Sequence, residues 1–176
     1  GQWYRRATYD DGTPLGSRSS AECMIDSLPQ SWSVLSDHGD PARSRTALDS
    51  ALAELVDPDL RIVRLFTPPF STGEHDPGYI AAYPPGVREN GGQYTHAATW
   101  MVIALARTGR ADEAYRLFDM LNPVTHAADE KAAETYRVEP YVVAADVYAT
   151  GEKAGRGGWT WYTGSAGWLF RAGVEG

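Results

Sequence analysis

Two stretches of helical periodicity, separated by a single turn, most constrain what this chain can fold into. Over residues 95–108 the apolar side chains recur at the spacing of a helix face, and over residues 111–121 they do so again. Gly109 lies between the two stretches, and the Asn122–Pro123 pair ends the second one. The pattern therefore predicts a helical hairpin over 95–121.

The same periodicity predicts another helical hairpin on either side of this one. Before it, a helix over 27–37 is followed by the Asp40–Pro41 pair, an N-cap and a first-turn proline, which starts a second helix to about Val56. After it, an apolar helix is predicted over 141–149 and a last helix over 164–174, separated by a glycine-rich loop. The predicted hairpins lie around 27–56, 95–121 and 141–174.

Between the helices the sequence predicts loops and short β ribbons. A hairpin or irregular loop is expected in the first 25 residues, a short strand over 61–66, and a polar stretch without a helix through Glu134. The proline-rich connection over 57–95 is long enough to be functional or disordered, and its aromatic and polar content disfavours disorder. Six helices in three hairpins predict an all-α fold of the α/α-toroid kind, with residues 1–176 as a single partial domain cut from a larger protein.

Charge and cysteine content exclude several classes of protein. The net charge of −7, with scattered basic residues, argues against a sequence-independent nucleic-acid binder. The one cysteine, Cys23, allows neither an intrachain disulfide nor a cysteine-based metal site. The histidines lack metal-ligand spacing, so no metal is expected. No apolar run reaches the roughly 20 residues that a membrane helix requires, and no membrane segment is expected in this chain.

Two runs of sequence carry side chains that suit polar ligands. The run Pro84–Trp100, PPGVRENGGQYTHAATW, places charged, amide and aromatic residues in a turn-rich segment that enters a predicted helix. The run Gly155–Trp168, GRGGWTWYTGSAGW, combines glycines, aromatic rings and hydroxyls at the start of the last helix. Such side chains are poor core material, but they bind polyols and oxyanions well.

Together, the two runs resemble the inverting glycoside phosphorylases that include cellobiose and chitobiose phosphorylase, and the phosphorylase-like domain of cyclic β-1,2-glucan synthases. The resemblance implies that this chain is the C-terminal half of an (α/α)6 catalytic toroid. It implies a β-linked disaccharide or oligosaccharide and inorganic phosphate as partners, with phosphate as co-substrate and no cofactor. It also implies a homodimer for the intact enzyme, and a cytoplasmic location, tethered to the membrane in a cyclic glucan synthase.

His96 and the Thr163–Gly164 pair are the candidate phosphate-binding residues. Both lie at predicted helix N-termini, where the helix dipole and unpaired N–H groups favour anions. Taken alone, His96 is as well explained by packing against Trp100, and Thr163 by capping its helix. The resemblance assigns them to phosphate, because they match the phosphate ligands of the family.

Glu89 leads the candidate sugar-binding residues. A carboxylate accepts several hydrogen bonds from sugar hydroxyls, and the resemblance implies that the glutamate of this motif contacts the acceptor-side sugar. The residues alone equally allow a structural network between Arg88 and Glu89. The other sugar-binding candidates are Arg88, Gln93, Tyr94 and Gln30, and one of the aromatic residues Trp159, Trp161, Tyr162 and Trp168 is expected to stack on a sugar.

The general acid is the part that the sequence does not supply. Inverting hydrolysis needs an acid and a base, whereas phosphorolysis needs only the acid, because phosphate is the nucleophile. The family carries its general-acid Asp in a Trp-Asn-Asp-Gly-Met-type motif. This motif does not occur here, and the resemblance places it upstream. No catalytic residue is therefore expected in this chain, which should be inactive alone.

The predicted function is a fragment of a glycoside phosphorylase, a glycosyltransferase of carbohydrate metabolism that contributes phosphate and sugar contacts. Two alternatives stay open at this point. One is the phosphorylase-like domain of a cyclic β-1,2-glucan synthase, which shares the quoted motifs. The other is a non-catalytic carbohydrate-binding module, which uses the same aromatic, glutamate and amide side chains. Bound phosphate would favour an enzyme over the module.

Overall fold

A computed structural model describes all 176 residues of the chain. Seven α-helices, two short 3-10 helices and eight strands of two residues each form the fold. The helices are α1 Ser27–Leu35, α2 Pro41–Leu55, α3 Thr95–Arg107, α4 Ala111–Leu121, α5 Pro123–His126, α6 Glu130–Tyr136 and α7 Thr163–Glu175. The strands are β1 Ala7–Thr8, β2 Pro14–Leu15, β3 Ile25–Asp26, β4 Val56–Asp57, β5 Ile62–Val63, β6 Phe66–Thr67, β7 Gln93–Tyr94 and β8 Asp146–Val147.

The strands form four separate antiparallel pairs, and no larger sheet. The pairs are β1 with β2, β3 with β6, β4 with β5, and β7 with β8. The prediction of a mainly helical chain with short β ribbons is therefore confirmed. The strand predicted over 61–66 is divided between β5 and β6, which pair with different partners. No helix is long and apolar enough to cross a membrane.

Helix α3 lies at the centre of the fold. It packs against α1, α4 and α7, and most of its residues are buried, including the fully buried Met101 and Leu105. A helix that is apolar nearly all round is suited to the interior rather than to a surface. Leu48 of α2 and Leu117 of α4 complete the same apolar cluster. The hairpins predicted over 27–56 and 95–121 are both present, and α3 joins them.

The helix N-termini fall into two groups. Four helices begin at a side chain that accepts a hydrogen bond from a first-turn N–H: Asp26 for α1, Asp40 for α2, Asn122 for α5 and Asp129 for α6. Helix α4 lacks such a cap but has two acidic residues in its first turn. Among the α-helices, only α3 and α7 have neither a side-chain cap nor an acidic residue in the first turn. The positive ends of these two helices therefore have no carboxylate of their own first turn beside them.

The prediction of a helix over 141–149 is wrong. The Ala145 N–H donates to the Trp159 carbonyl at 2.6 Å, and the Ala149 N–H donates to the Gly86 carbonyl at 2.9 Å. These bonds lead away from the segment in different directions, so its backbone cannot form the local ladder of a helix. The segment begins with a turn and continues irregularly into β8. The other half of the predicted third hairpin is confirmed as α7.

The polar stretch through Glu134 contains two short helices that the sequence pattern did not predict. Asn122 ends α4, as predicted, but its side chain also caps α5, and Asp129 caps α6. Helices this short have little stability of their own and depend on tertiary packing. That packing is provided by His126, whose ring stacks on Tyr136 with the centroids 4.4 Å apart.

Candidate functional site

Two segments without α-helices, residues 84–94 and 141–162, lie side by side, and we call them the site loops. Strands β7 and β8 pair with Tyr94 opposite Asp146. The Thr95 N–H donates to the Ala145 carbonyl at 2.9 Å, and the Gly158 N–H donates to the Asp146 carbonyl at 2.8 Å. The pairing brings the start of α3 next to the start of α7.

His96 and Gly164 meet where these two helices begin. A Cβ atom at position 164 would lie 2.6 Å from His96 Nε2 and 2.9 Å from His96 Cε1, closer than real Cβ contacts allow. Glycine at this position therefore lets the imidazole reach the N-terminus of α7. The structure thus brings His96 against Gly164 of the Thr163–Gly164 pair, while the role of these residues as phosphate ligands stays a prediction.

The surroundings of His96 favour a neutral imidazole. The ring lies between Tyr94 and Tyr162, with ring centroids 5.5 Å and 5.3 Å away, and burial lowers the pKa of His96. Its Nδ1 atom is buried without a hydrogen-bond partner. A neutral imidazole donates from one nitrogen and accepts at the other. Protonated at Nε2, His96 would offer a neutral donor towards the start of α7.

The N-terminus of α7 supplies the other half of this end of the site. Thr163 is the first residue of the helix and is exposed, and Tyr162 precedes it without a side-chain cap. Ser165 is fully buried, and its hydroxyl donates to the Tyr162 carbonyl at 3.0 Å, so it is not available to a ligand. An uncapped helix N-terminus with a hydroxyl and a glycine is suited to an oxyanion.

Arg88 and Glu89 belong to the first of the site loops, a few residues before Tyr94. Glu89 is half-buried and its Oε2 atom has no partner, and its negative charge adds to burial in raising the pKa of Tyr94. Arg88 does not pair with Glu89. Its guanidinium carbon lies 4.7 Å from the centroid of the Trp159 ring, and its Nε lies 3.9 Å from Asp146 Oδ1. The structure therefore lacks the Arg88–Glu89 network that the residues alone allowed.

The two glutamines among the candidates are placed in the interior. Gln30 is fully buried, where its amide oxygen accepts from the Tyr4 N–H at 2.8 Å and its NH2 group donates to the Asp26 carbonyl at 2.7 Å. Gln93 is also buried, and its amide oxygen accepts from the Val63 N–H at 3.0 Å. Both amides hold backbone segments together, so their amide oxygens are already occupied by main-chain donors.

The candidate stacking residues separate by exposure. Trp168 turns inward and meets Trp100 edge to face at 5.6 Å. Trp159 and Trp161 are 59% and 68% exposed. Trp159 carries the Arg88 guanidinium on one face of its ring, which groups these two residues in the site.

Asp146 belongs to the site although the sequence analysis gave it no role. Its carboxylate is 1% exposed, and this burial raises the pKa of Asp146. The hydrogen bond from the Trp159 N–H and the positive charge of Arg88 lower that pKa, but by less. The signal in the sequence was a lone Asp inside the apolar run 141–149, because a buried carboxylate needs partners from elsewhere. No group of three or more His, Cys, Asp and Glu side chains is placed to hold a metal ion.

Comparisons with known proteins give one family match and several similar proteins. The family model for the glycosyl hydrolase 94 superfamily, catalytic domain, matches residues 1–176. Cyclic beta-(1,2)-glucan synthase NdvB of Rhizobium meliloti (strain 1021) is 69% identical over 176 residues, which are 100% of this chain and 6% of that protein.

Two phosphorylases are also similar to the chain. N,N'-diacetylchitobiose phosphorylase of Vibrio furnissii is 29% identical over 174 residues, covering 98% of this chain and 21% of that enzyme. Solabiose phosphorylase of Paenibacillus borealis is 29% identical over 173 residues, covering 98% of this chain and 22% of that enzyme. The chain thus spans about a fifth or less of the length of each of these relatives.

Proposed function

The chain belongs to the glycosyl hydrolase 94 superfamily, as part of its catalytic domain, and from this premise we propose that it supplies the phosphate and sugar contacts of a phosphorolysis site. The observation that carries the proposal is the meeting of His96 with the uncapped start of α7. A hydrolase site holds water between two carboxylates, whereas this corner offers neutral donors and a helix dipole to an anion.

The reaction that we propose is inverting phosphorolysis. An oxygen of inorganic phosphate attacks the anomeric carbon, the glycosidic bond breaks, and an acid protonates the departing sugar oxygen. The products are a sugar 1-phosphate and a glucan or sugar shortened by one unit. We propose that the general acid lies outside residues 1–176, so this chain binds the substrates but does not complete the reaction by itself.

Phosphate is held, in this proposal, by His96, Thr163 and Gly164. His96 Nε2–H and the Thr163 hydroxyl donate to phosphate oxygens, and the N–H of Gly164 adds a backbone donor. The absence of a carboxylate from the first turns of α3 and α7 supports this arrangement, because a negative charge there would repel the anion. Donors that carry no charge hold the phosphate without reducing its nucleophilicity by protonation.

The sugar is held, in this proposal, by Glu89, Arg88 and Tyr94. The unpartnered Oε2 of Glu89 is a buried acceptor that a sugar hydroxyl would satisfy. Arg88 lies across the Trp159 ring, so the pair presents a cation and an aromatic face to the same space. Tyr94 stacks on the His96 ring and is within range of the Glu89 charge, which supports a place for its hydroxyl among the sugar contacts.

A cyclic β-1,2-glucan synthase is the context we propose for the intact protein. The support is the 69% identity over the whole chain with a protein of that name, against 29% with the two phosphorylases. The substrate is then a β-1,2-linked glucan, with phosphate as co-substrate and no further cofactor. We also propose that the helices form half of an (α/α)6 toroid, and that the intact protein is a homodimer whose domain faces the cytoplasm.

The test uses the intact protein with a linear β-1,2-glucan, in the presence and absence of inorganic phosphate. We expect sugar 1-phosphate to form only with phosphate, at a rate that saturates in both substrates. A carbohydrate-binding module would bind the glucan and release nothing, with or without phosphate. Activity on N,N'-diacetylchitobiose or solabiose, but not on the glucan, would instead place the protein with the disaccharide phosphorylases.

A further inference from the structure

Asp146 is a buried carboxylate that neither the phosphate contacts nor the sugar contacts use. Its side chain is 1% exposed, and burying a charge of this kind is costly unless partners compensate. Its Oδ2 atom has no partner at all. A residue that only filled space at this position would be apolar, like Ala145 and Val147 on either side.

The contacts of Asp146 reach both ends of the site. Oδ1 accepts from the Trp159 N–H at 3.0 Å and lies 3.9 Å from Arg88 Nε. Its main-chain carbonyl accepts from the Gly158 N–H at 2.8 Å. Arg88 belongs to the sugar end, while Gly158 and Trp159 begin the segment that leads to Thr163. The Asp146 side chain thus hydrogen-bonds to the segment that leads to Thr163 and faces the guanidinium of Arg88.

The fit between Asp146 and Gly158 is close. A Cβ atom at position 158 would lie 2.4 Å from both carboxylate oxygens of Asp146. Any other residue at position 158 would displace the carboxylate, because a contact this short cannot be accommodated. The carboxylate therefore lies directly against bare backbone, which fixes its oxygens relative to the Trp159 N–H.

We propose that Asp146 is a positioning residue that holds Arg88 against Trp159 and, through the Trp159 N–H, holds the segment that carries Thr163 and Gly164. Its negative charge orients the guanidinium, and its oxygen orients the backbone. The two functions are chemically separable, because one needs a charge and the other only an acceptor. This inference rests on the proposed phosphorolysis. In it, Asp146 keeps the phosphate end and the sugar end of the site correctly placed relative to each other.

The test separates the two functions by substitution in the intact protein, with a linear β-1,2-glucan and inorganic phosphate as substrates. Asp146→Asn keeps an oxygen for the Trp159 N–H but removes the charge that faces Arg88. We expect the KM for the glucan to rise by about 3- to 10-fold, with the KM for phosphate within about twofold of wild type. Asp146→Ala also removes the acceptor, and both KM values should rise, by about tenfold or more.

Asp26→Asn is the matched control. Asp26 is likewise a buried aspartate beside an arginine, Arg6, and its other side-chain partner is the Leu28 N–H at the start of α1. The Asp26→Asn substitution should leave both KM values unchanged, even if it lowers the stability of the protein. A wild-type protein without phosphate-dependent turnover would contradict the proposed function itself.

Given an active wild type, the asparagine variant decides the inference. If Asp146→Asn leaves both KM values unchanged, raises both equally, raises only that for phosphate, or lowers only kcat, the positioning role is wrong. Because this variant retains the backbone contact, it should fold and remain informative even if Asp146→Ala does not. A rise in the glucan KM alone is a result that general loss of folded protein would not produce.

Discussion

The helices α1 to α4 and α7, which we call the helical region, differ from the site loops in where their backbone hydrogen bonds go. In the helical region the N–H groups beyond the first turn of each helix bond within that helix, and the side chains bury an apolar cluster around α3. In the site loops the bonds join residues far apart in the chain, as when the Ala149 N–H donates to the Gly86 carbonyl. The helical region is thus stabilised by local bonds and apolar burial, and the site loops by long-range polar bonds.

This difference places the chemistry in the site loops. Unpartnered polar atoms of Glu89, His96 and Asp146 lie in or beside them, where no regular backbone ladder competes for space. The helical region contributes its two uncapped N-termini and a rigid support for them. Apart from His96, Thr163 and Gly164 at those two N-termini, we therefore expect substitutions in the helical region to change stability, and substitutions in the site loops to change substrate binding.

The largest effect should come from Leu117→Ala in α4. Leu117 is fully buried in the main cluster, and removing a buried leucine side chain costs about 2–5 kcal/mol. Amide hydrogen exchange in α3 and α4 of the intact protein should report the loss. Tyr115→Ala on the same helix is the control, because Tyr115 is 72% exposed and should change stability by less than about 0.5 kcal/mol. Equal effects of the two would contradict the description of the core.

Helices α5 and α6, which connect α4 to the second site loop, should lose stability in acid because of His126. Burial, aided by the positive charge of Arg61, lowers the pKa of His126 to about 4, against about 6.5 in an unfolded chain. Because the folded pKa is the lower one, the stability is full above about pH 6.5 and is lost as the pH falls towards 4. At pH 5 the loss should be about 2 kcal/mol, at about 1.4 kcal/mol per pH unit.

Hydrogen exchange in α5 and α6 at pH 7 and pH 5, corrected for intrinsic exchange rates, measures this loss. His126→Phe keeps a ring to stack on Tyr136 and should abolish most of the pH dependence. His38→Phe, at an exposed histidine, should leave the pH dependence as it is in wild type. An unchanged pH dependence in His126→Phe would show that another group is responsible.

In the site loops, Gly158→Ala should impair binding of both substrates. The added methyl group collides with the Asp146 carboxylate, and overpacking of this kind costs about 1–3 kcal/mol. The KM values for glucan and for phosphate should both rise in the intact protein. Gly167→Ala in α7 is the control, because no atom lies within 4 Å of the added methyl group. That change should stabilise the helix by up to about 1 kcal/mol and leave both KM values unchanged.

The smallest effect should follow Asp40→Ala. Its side chain caps α2 by accepting from the Arg43 N–H at 2.8 Å, and loss of such a cap costs about 1 kcal/mol. Hydrogen exchange should quicken in the first turn of α2 only, and Asp40→Ser should restore it. A change in either KM would show that the helical region and the site loops are coupled more strongly than their separate hydrogen bonds suggest.

The same difference explains what the sequence could predict. The hairpin over 95–121 and the Asp40 cap depend on local spacing and local chemistry, and both are confirmed. The helix predicted over 141–149 is wrong because the apolar pattern there reflects burial against other segments, which a pattern within one segment does not reveal. Asp146 was missed for the same reason, since its partners Arg88 and Trp159 are distant in sequence. His96 and Thr163 were found through the resemblance rather than through periodicity.

The central claim is that phosphate and sugar are held at separate ends of the site. The most direct test measures how turnover by the intact protein depends on phosphate concentration in the variants His96→Ala and Glu89→Ala. Loss of a hydrogen bond to a charged group costs about 1.5–3 kcal/mol, so His96→Ala should raise the KM for phosphate by about 10- to 150-fold. Glu89→Ala should weaken the binding of the sugar and leave the KM for phosphate nearly unchanged. Wild-type phosphate dependence in His96→Ala, together with its loss in Glu89→Ala, would contradict the account.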